Sequence, residues 1–312
     1  MARPLRIEYP GAYYHITSRG NERKDVFKNY RDREKFLGYL ETAGKRYGAV
    51  IHVYCLMTNH YHLLLETPRG NLSQIMRHVN GAYTIYFNKK RERAGHLFQG
   101  RYRAILINAD EYAQELSRYI HLNPVRAGMV SRPEDHAWSS YCVYIGQEKK
   151  PDWLAVDFVL NYFGKNRSVA RSRYREFVTS LIGKSYESPI EKVVASTILG
   201  NEDFVERIRK KYLPERKDVR NVPALSMLSE QLSLEDIMKH TQTLFQNEPR
   251  LSRKVALYIS HRYSGRKLKD IGSYFDMGES AVSQASSRFA SLIKKDQQLR
   301  KRIEQVNREL NL

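Results

Sequence analysis

Cysteine is nearly absent from this chain. Cys55 and Cys142 are the only two in 312 residues, too few and too far apart for a disulfide framework or a four-cysteine zinc site. No run approaches the ~18 apolar residues of a membrane span, and the opening Met1-Ala-Arg-Pro-Leu-Arg-Ile has no apolar stretch of the secretory kind. No membrane partner is expected, and a reducing cytoplasm is the expected location. A Gly-rich turn after a first strand is also missing, which argues against a dinucleotide-binding Rossmann domain. Internal repeats and low-complexity tracts are absent. Acidic residues run short: 34 Asp and Glu stand against 53 Lys and Arg, a formal net charge of +19.

What is present has the balance of a globular protein, with 41% apolar and 28% charged residues. At roughly 100–200 residues per domain, the length implies two domains or three. A surplus of positive charge this large serves a polyanion, because each Lys or Arg set against a phosphate releases condensed counterions. Tyrosine is abundant, at 22 residues. Its ring stacks on bases and its hydroxyl reaches phosphates, a combination suited to single-stranded nucleic acid. The competing reading is a soluble basic protein whose tyrosines fill its core.

The first half alternates strands and helices. Ala12 to Ser18 is a β-prone run, and Asp32 to Tyr47 carries Phe36, Leu37, Leu40 and Ala43 at helical spacing. Ala49 to Met57 and His60 to Glu66 read as a hairpin turning at Thr58-Asn59. Leu72 to Arg91 is an amphipathic helix and Tyr102 to Ile107 a further strand. Asp110 caps a helix that runs to about Asn123, where Pro124 is expected to stop it. This order favours an α+β fold with an antiparallel sheet covered on one face. The polar stretch Gln147–Asp152 marks a boundary, giving a first domain over 1–150 and a helical region over 151–312. Helices are expected over Arg171–Ile182, Ile190–Leu199 and Asp203–Lys211, then a linker over Leu213–Pro223.

Two constellations carry chemistry. In His60-Tyr61-His62 the two imidazoles sit at i and i+2, so on a strand they share one face and suit a single metal ion. Tyr119 and Asn123 sit at i and i+4, so on a helix they project together. A phenol is a covalent nucleophile toward phosphorus, and an amide oxygen can complete a metal site. The bland alternative is a packed Tyr and an Asn capping the helix before Pro124. His15, His52, His96 and His121 read as packing, surface or ordinary hydrogen-bonding residues.

Three blocks in order, Met57–Glu66 (MTNHYHLLLE), His96–Arg103 (HLFQGRYR) and Tyr119–Gly128 (YIHLNPVRAG), resemble the single-tyrosine HUH transposases related to insertion sequence 200. Within that group they are most similar to the REP-associated tyrosine transposases, over about residues 5–145. The resemblance implies a ferredoxin-like palm with the histidines on a central strand. It makes His60 and His62 metal ligands, Tyr119 the nucleophile and Asn123 a third, polar ligand. It further implies a divalent cofactor, Mg2+ or Mn2+, and single-stranded DNA hairpins as substrate. Those hairpins are cut and rejoined through a 5′-phosphotyrosine. Lys89, Lys90, Arg91, Arg101 and Arg103 are expected to guide the strand beside aromatic faces.

A second module lies at about 251–295. Leu268–Phe275, a turn over Asp276–Glu279, and Ser280–Phe289 have helix-turn-helix spacing. The region resembles the C-terminal DNA-binding domain of the bacterial replication initiator DnaA, although Met277-Gly-Glu-Ser-Ala281 replaces the initiator's usual basic-acidic-histidine block. Ser280, Ser283, Gln284 and Ser287 are placed to reach bases or phosphates, and adjacent duplex DNA is the expected partner. Two further readings are a DNA-binding regulator without catalysis and a metal-dependent nuclease without a covalent step. The chain is expected to act as a monomer or homodimer.

Overall fold

A computed structural model describes residues 7–310 except 186, 195–196, 213–232, 265 and 267; the linker expected over 213–223 lies outside the described residues. The chain divides into two compact units, Arg6–Glu206 and Arg207–Leu312.

The first unit begins β1 (Ala12–Arg19), α1 (Tyr30–Tyr47), β2 (Val50–Leu56), β3 (His60–Thr67), α2 (Leu72–Lys90), β4 (Arg103–Ile107) and α3 (Ala109–Arg126). This βαββαβ order yields the strand order β2-β3-β1-β4, the ferredoxin-like arrangement, with every one of these pairs antiparallel. A fifth strand, β5 (Ile198–Leu199), adds to β4 in parallel, so the whole sheet is mixed.

Alternation along β3 sorts its side chains between two layers. Tyr61 turns toward α1 and α2: its ring lies 4.7 Å from that of Phe36, and its hydroxyl donates to Asn80 Oδ1 at 2.6 Å. Phe36 and Tyr83 are fully buried beside it. His60 and His62 turn the other way, toward α3. Helices therefore cover both faces of the sheet rather than one, with α1 and α2 opposite α3.

The described residues of 151–206 fall in the same compact unit as this sheet, although a boundary near 150 assigns them to the helical region. Leu154 bridges Ile51, and Phe158 of α4 (Asp157–Leu160) stacks on Tyr13 and packs at a tilt against His52. Tyr174 of α5 (Arg167–Thr179) shares a 2.6 Å hydrogen bond with His121 of α3. The helix expected over Ile190–Leu199 is instead a single turn, Pro189–Lys192, followed by β5. The open edge of β4 captures Ile198 and Leu199, with Leu106 and Asn108 N–H groups donating to Thr197 and Leu199. Backbone pairing there outweighs the weak local helix preference of Val193-Val194.

Pro124 does not end α3. It sits in the last turn, and the helix closes only at Ala127, where Gly128 takes a left-handed conformation (φ 66°) and bonds Val125.

The second unit is helical: Leu234–Leu244, Pro249–Tyr263, Leu268–Tyr274, Glu279–Lys295 and Gln297–Glu309. They close on Ile237, Val255, Ile259, Ile271, Phe275, Val282, Phe289 and Val306. Between the third and fourth, Met277 N–H donates to the Gly272 carbonyl at 2.8 Å. A Cβ at Gly272 would press into the Met277 carbonyl oxygen, so this tight turn requires glycine. Among the described residues no helix is long and apolar enough to cross a membrane.

Candidate active site

The register of β1 on β3 sets Arg19 opposite His60 and Thr17 opposite His62. On its other side β1 sets Thr17 opposite Arg103 and His15 opposite Ile105. One face of the sheet thus carries a row of imidazole, hydroxyl and guanidinium groups. The loop before β4 closes against the end of β1 through Gln99 N–H to the Arg19 carbonyl (2.8 Å). It brings Gln99 and Arg101 to the same place.

α3 lies over this face and supplies Tyr119. The phenol ring stands edge-on to His62 (5.9 Å between centres) and to His15 (6.0 Å). These groups line an open pocket of about 370 Å³, walled by His15, Arg19, His60, His62, Arg103 and Tyr119, among others. Ile190, from the turn before β5, also lines it, so the segment after residue 150 helps to build the pocket.

Hydrogen bonds orient the two histidines on β3. His60 Nδ1 is 2.6 Å from Asn59 Oδ1, and His62 Nδ1 is 3.0 Å from His15 Nε2. Burial holds all three imidazoles neutral. It lowers His15 to about 3, helped by the Arg103 charge, and His60 to about 4, helped by Arg19. His62 is pushed well below its usual range by burial, then by His15 and His60.

Neutral imidazoles are the metal-binding form. His62 Nε2 is buried without a hydrogen-bond partner, as a ligand atom waiting for a cation would be. Among the described residues no cluster of three His, Cys, Asp or Glu side chains is placed to hold a metal ion. Two imidazoles, with amide, water or phosphate oxygens at further positions, would make up such a donor set. That set fits a divalent ion.

Asn123 is less directly placed. It lies one turn beyond Tyr119, its Nδ2 donates to the Tyr119 carbonyl at 2.8 Å, and it is not among the residues lining the pocket. Arg126, one turn further, places its guanidinium 5.1 Å from the Tyr119 ring centre. In the sequence alone His15 reads as an ordinary packing or hydrogen-bonding residue and Arg126 does not stand out. The i+7 spacing from Tyr119 signals Arg126; nothing local signals His15.

The basic residues separate into groups. Arg101 and Arg103 are exposed and line the pocket. Lys89 is exposed at the end of α2. Lys90 and Arg91 instead neutralise Asp32, a carboxylate with no exposed surface: Lys90 Nζ is 3.0 Å from Oδ1, and Arg91 pairs with Oδ2. Their first role is internal. In the second unit, Ser280 and Gln284 are exposed on one face of the helix Glu279–Lys295, with Ser283 beside them half-buried. Ser283 and Gln284 line a shallow concavity with Ser287 and Arg288.

Of the remaining histidines, His121 is buried between Tyr174 and Ser140 Oγ (2.8 Å), and His52 bonds Glu66 and the Ala155 carbonyl. His96 is exposed, its carbonyl accepting from Arg93.

No curated protein matches the chain. Among solved structures, that of a REP-associated tyrosine transposase bound to a REP hairpin aligns with 50% of this chain and 92% of its own length, at 17% identity and a TM-score of 0.41. Residues 8–123, the stretch from β1 through Asn123 that holds His60, His62 and Tyr119, match the family of IS200-like transposases.

Proposed function

We propose that this pocket cuts and rejoins single-stranded DNA through a covalent bond between Tyr119 and a 5′ phosphate. The observation that carries the reading is the meeting of His60 and His62 from β3 with Tyr119 from α3 in one pocket walled by arginines. Two neutral imidazoles and a phenol are a poor set for binding alone. They are the parts of a phosphoryl-transfer site.

Arg19, Arg101 and Arg103 attract the DNA backbone and hold a phosphate in the pocket. The Tyr119 phenol oxygen forms a bond to phosphorus while the bond from phosphorus to the 3′ oxygen breaks. The phenol gives up its proton in this step, and the departing 3′ oxygen gains one. The phosphodiester energy is kept in the tyrosine ester, so attack by a 3′-hydroxyl on that ester reseals the strand without ATP.

His60 and His62 would hold the divalent ion, Mg2+ or Mn2+. When bound it supplies Lewis acidity at a non-bridging phosphate oxygen. Asn123 is the proposed third, weaker ligand.

The preferred substrate is a hairpin with unpaired flanks. The face formed by Ser280, Ser283, Gln284 and Ser287 would contact duplex DNA beside it. A regulator that binds DNA without cutting it is the second reading, favoured by that face alone.

Incubating the protein with Mn2+ and labelled hairpin oligonucleotides from the flanks of its own gene separates the readings. A denaturant-stable protein–DNA adduct supports the proposal. Cleaved DNA without an adduct indicates hydrolysis, and bound but intact DNA indicates a regulator.

A further inference from the structure

Both histidines of β3 are engaged through Nδ1, each by a partner that a different part of the fold supplies. Asn59 belongs to the β2–β3 turn. Its Nδ2 donates to the Arg23 carbonyl at 3.0 Å, which turns Oδ1 toward His60 Nδ1, 2.6 Å away. An amide oxygen only accepts. The proton of His60 therefore sits on Nδ1, and Nε2 carries the lone pair.

For His62 the partner is His15, on the neighbouring strand β1. The two rings are parallel within 6°, their centres 5.2 Å apart, with His15 Nε2 3.0 Å from His62 Nδ1. One hydrogen bond between two ring nitrogens needs one donor and one acceptor. If His15 donated, His62 would carry its own proton on Nε2, a buried atom with no acceptor among the described residues, and could not ligate a cation. If His62 donates, its Nε2 keeps a lone pair, and the matching His15 proton rests on Nδ1, which is also buried and unpartnered. Only the second arrangement makes His62 equivalent to His60.

We propose that Asn59 and His15 are positioning residues that hold His60 and His62 in the Nδ1–H form and so present both Nε2 lone pairs to one divalent cation. This rests on the metal-binding reading of the pocket. His15 is 2% exposed, yet it occupies a strand position where an apolar side chain would pack without a polar atom to satisfy. The acceptor it offers to His62 accounts for a polar ring at that position. A second ring of hydrogen bonds of this kind commonly changes metal affinity by about 10–100-fold.

The test uses the full-length protein, labelled with ¹⁵N and free of metal. Long-range ¹H–¹⁵N spectra report which nitrogen of each histidine carries the proton, and a Mn2+ titration followed by electron paramagnetic resonance reports affinity. The expected result is Nδ1–H for His60 and His62 in the wild type. His15→Leu and Asn59→Ala should each weaken Mn2+ binding by at least about tenfold. His15→Gln, which keeps an acceptor near the Nε2 position, should stay within a few-fold of wild type. Protonation of His62 at Nε2 in the wild type overturns the proposal, as does equal Mn2+ affinity for His15→Leu and His15→Gln. If His15→Leu does not fold, the wild-type spectrum still decides. If the wild type takes up no Mn2+, the metal-binding reading fails, while the spectrum reports on the tautomers separately.

Discussion

Tyr119 stands edge-on to His62 with ring centres 5.9 Å apart, one carried by a helix and the other by a strand of the same sheet face. β3 fixes the imidazoles by backbone pairing on both sides, to β1 and to β2. α3 is fixed by burial of Leu116, Ile120 and Leu122. The proposed nucleophile and the histidines therefore meet through two rigid elements, not through a loop, and the proposed phosphoryl transfer would need such a sub-ångström tolerance.

His60→Ala and His62→Ala should each abolish cleavage and weaken Mn2+ binding, because each removes a candidate ligand. Asn123→Ala should cost about tenfold or less, since its amide is tied to the Tyr119 carbonyl and water can take the place of its oxygen. Cleavage assays with and without excess chelator check this; activity that survives the chelator would remove the metal from the account.

Acid should destabilise the first unit through its buried neutral histidines. Burial lowers His121 from its ordinary value of 6.5 to about 3. The unfolded chain then takes up a proton that the folded chain refuses, so this stability is complete above about pH 6.5 and is lost as pH falls toward 3. The contribution is at most about 1.4 kcal/mol per pH unit from this one residue. Urea unfolding between pH 7 and 4 should show a shallower pH slope in His121→Gln than in the wild type.

Asp32 should matter for stability and little for DNA. It is fully buried and accepts from Lys90, Arg91 and the Lys28 N–H. Burial opposes its charge, but those donors outweigh it and hold the carboxyl below its usual range. Asp32→Ala should lose about 2 kcal/mol or more and lower the unfolding midpoint. DNA affinity, measured well below that midpoint, should stay within a few-fold.

Cutting the chain should reveal two modules only if the cut respects the sheet. A fragment ending after Tyr212 keeps β5 and the pocket residue Ile190, and should still form the Tyr119 adduct. A fragment ending at 150 loses β5, α5 and the partner of His121, and should fold poorly. The longer fragment should bind a hairpin with duplex flanks more weakly than the full chain. Its salt dependence should be shallower by about 0.9 in log–log slope for each phosphate that the C-terminal unit neutralises. Equal affinities and slopes would mean that the C-terminal unit does not touch DNA.

The elements from β1 to α3 are legible because each carries its own period, and His60, His62 and Tyr119 stand out as candidates because spacing and motif act locally. What was hidden depends on pairing across the chain. His15 joins the site only through the β1–β3 register, which no local pattern states. Lys90 and Arg91 look like a solvated basic run until α1 brings Asp32 beneath them. Ile198 and Leu199 become a strand because β4 offers an open edge, and the polar stretch at 147–152 looks like a boundary although the chain beyond it returns to the sheet. Pro124 costs α3 the N–H bond to Ile120, yet the final turn still closes, with Ala127 N–H donating to the Asn123 carbonyl and Met129 N–H to that of Pro124.

If the proposed function holds, Tyr119 becomes joined to DNA. The direct measurement is to trap the adduct formed with Mn2+ and a single-stranded hairpin substrate, digest it, and locate the nucleotide-bearing peptide by mass spectrometry. The expected result is a 5′-phosphate attached to Tyr119, and no adduct from Tyr119→Phe although that variant binds the hairpin within a few-fold of wild type. A nucleotide on any other residue, or an undiminished adduct from Tyr119→Phe, would contradict it.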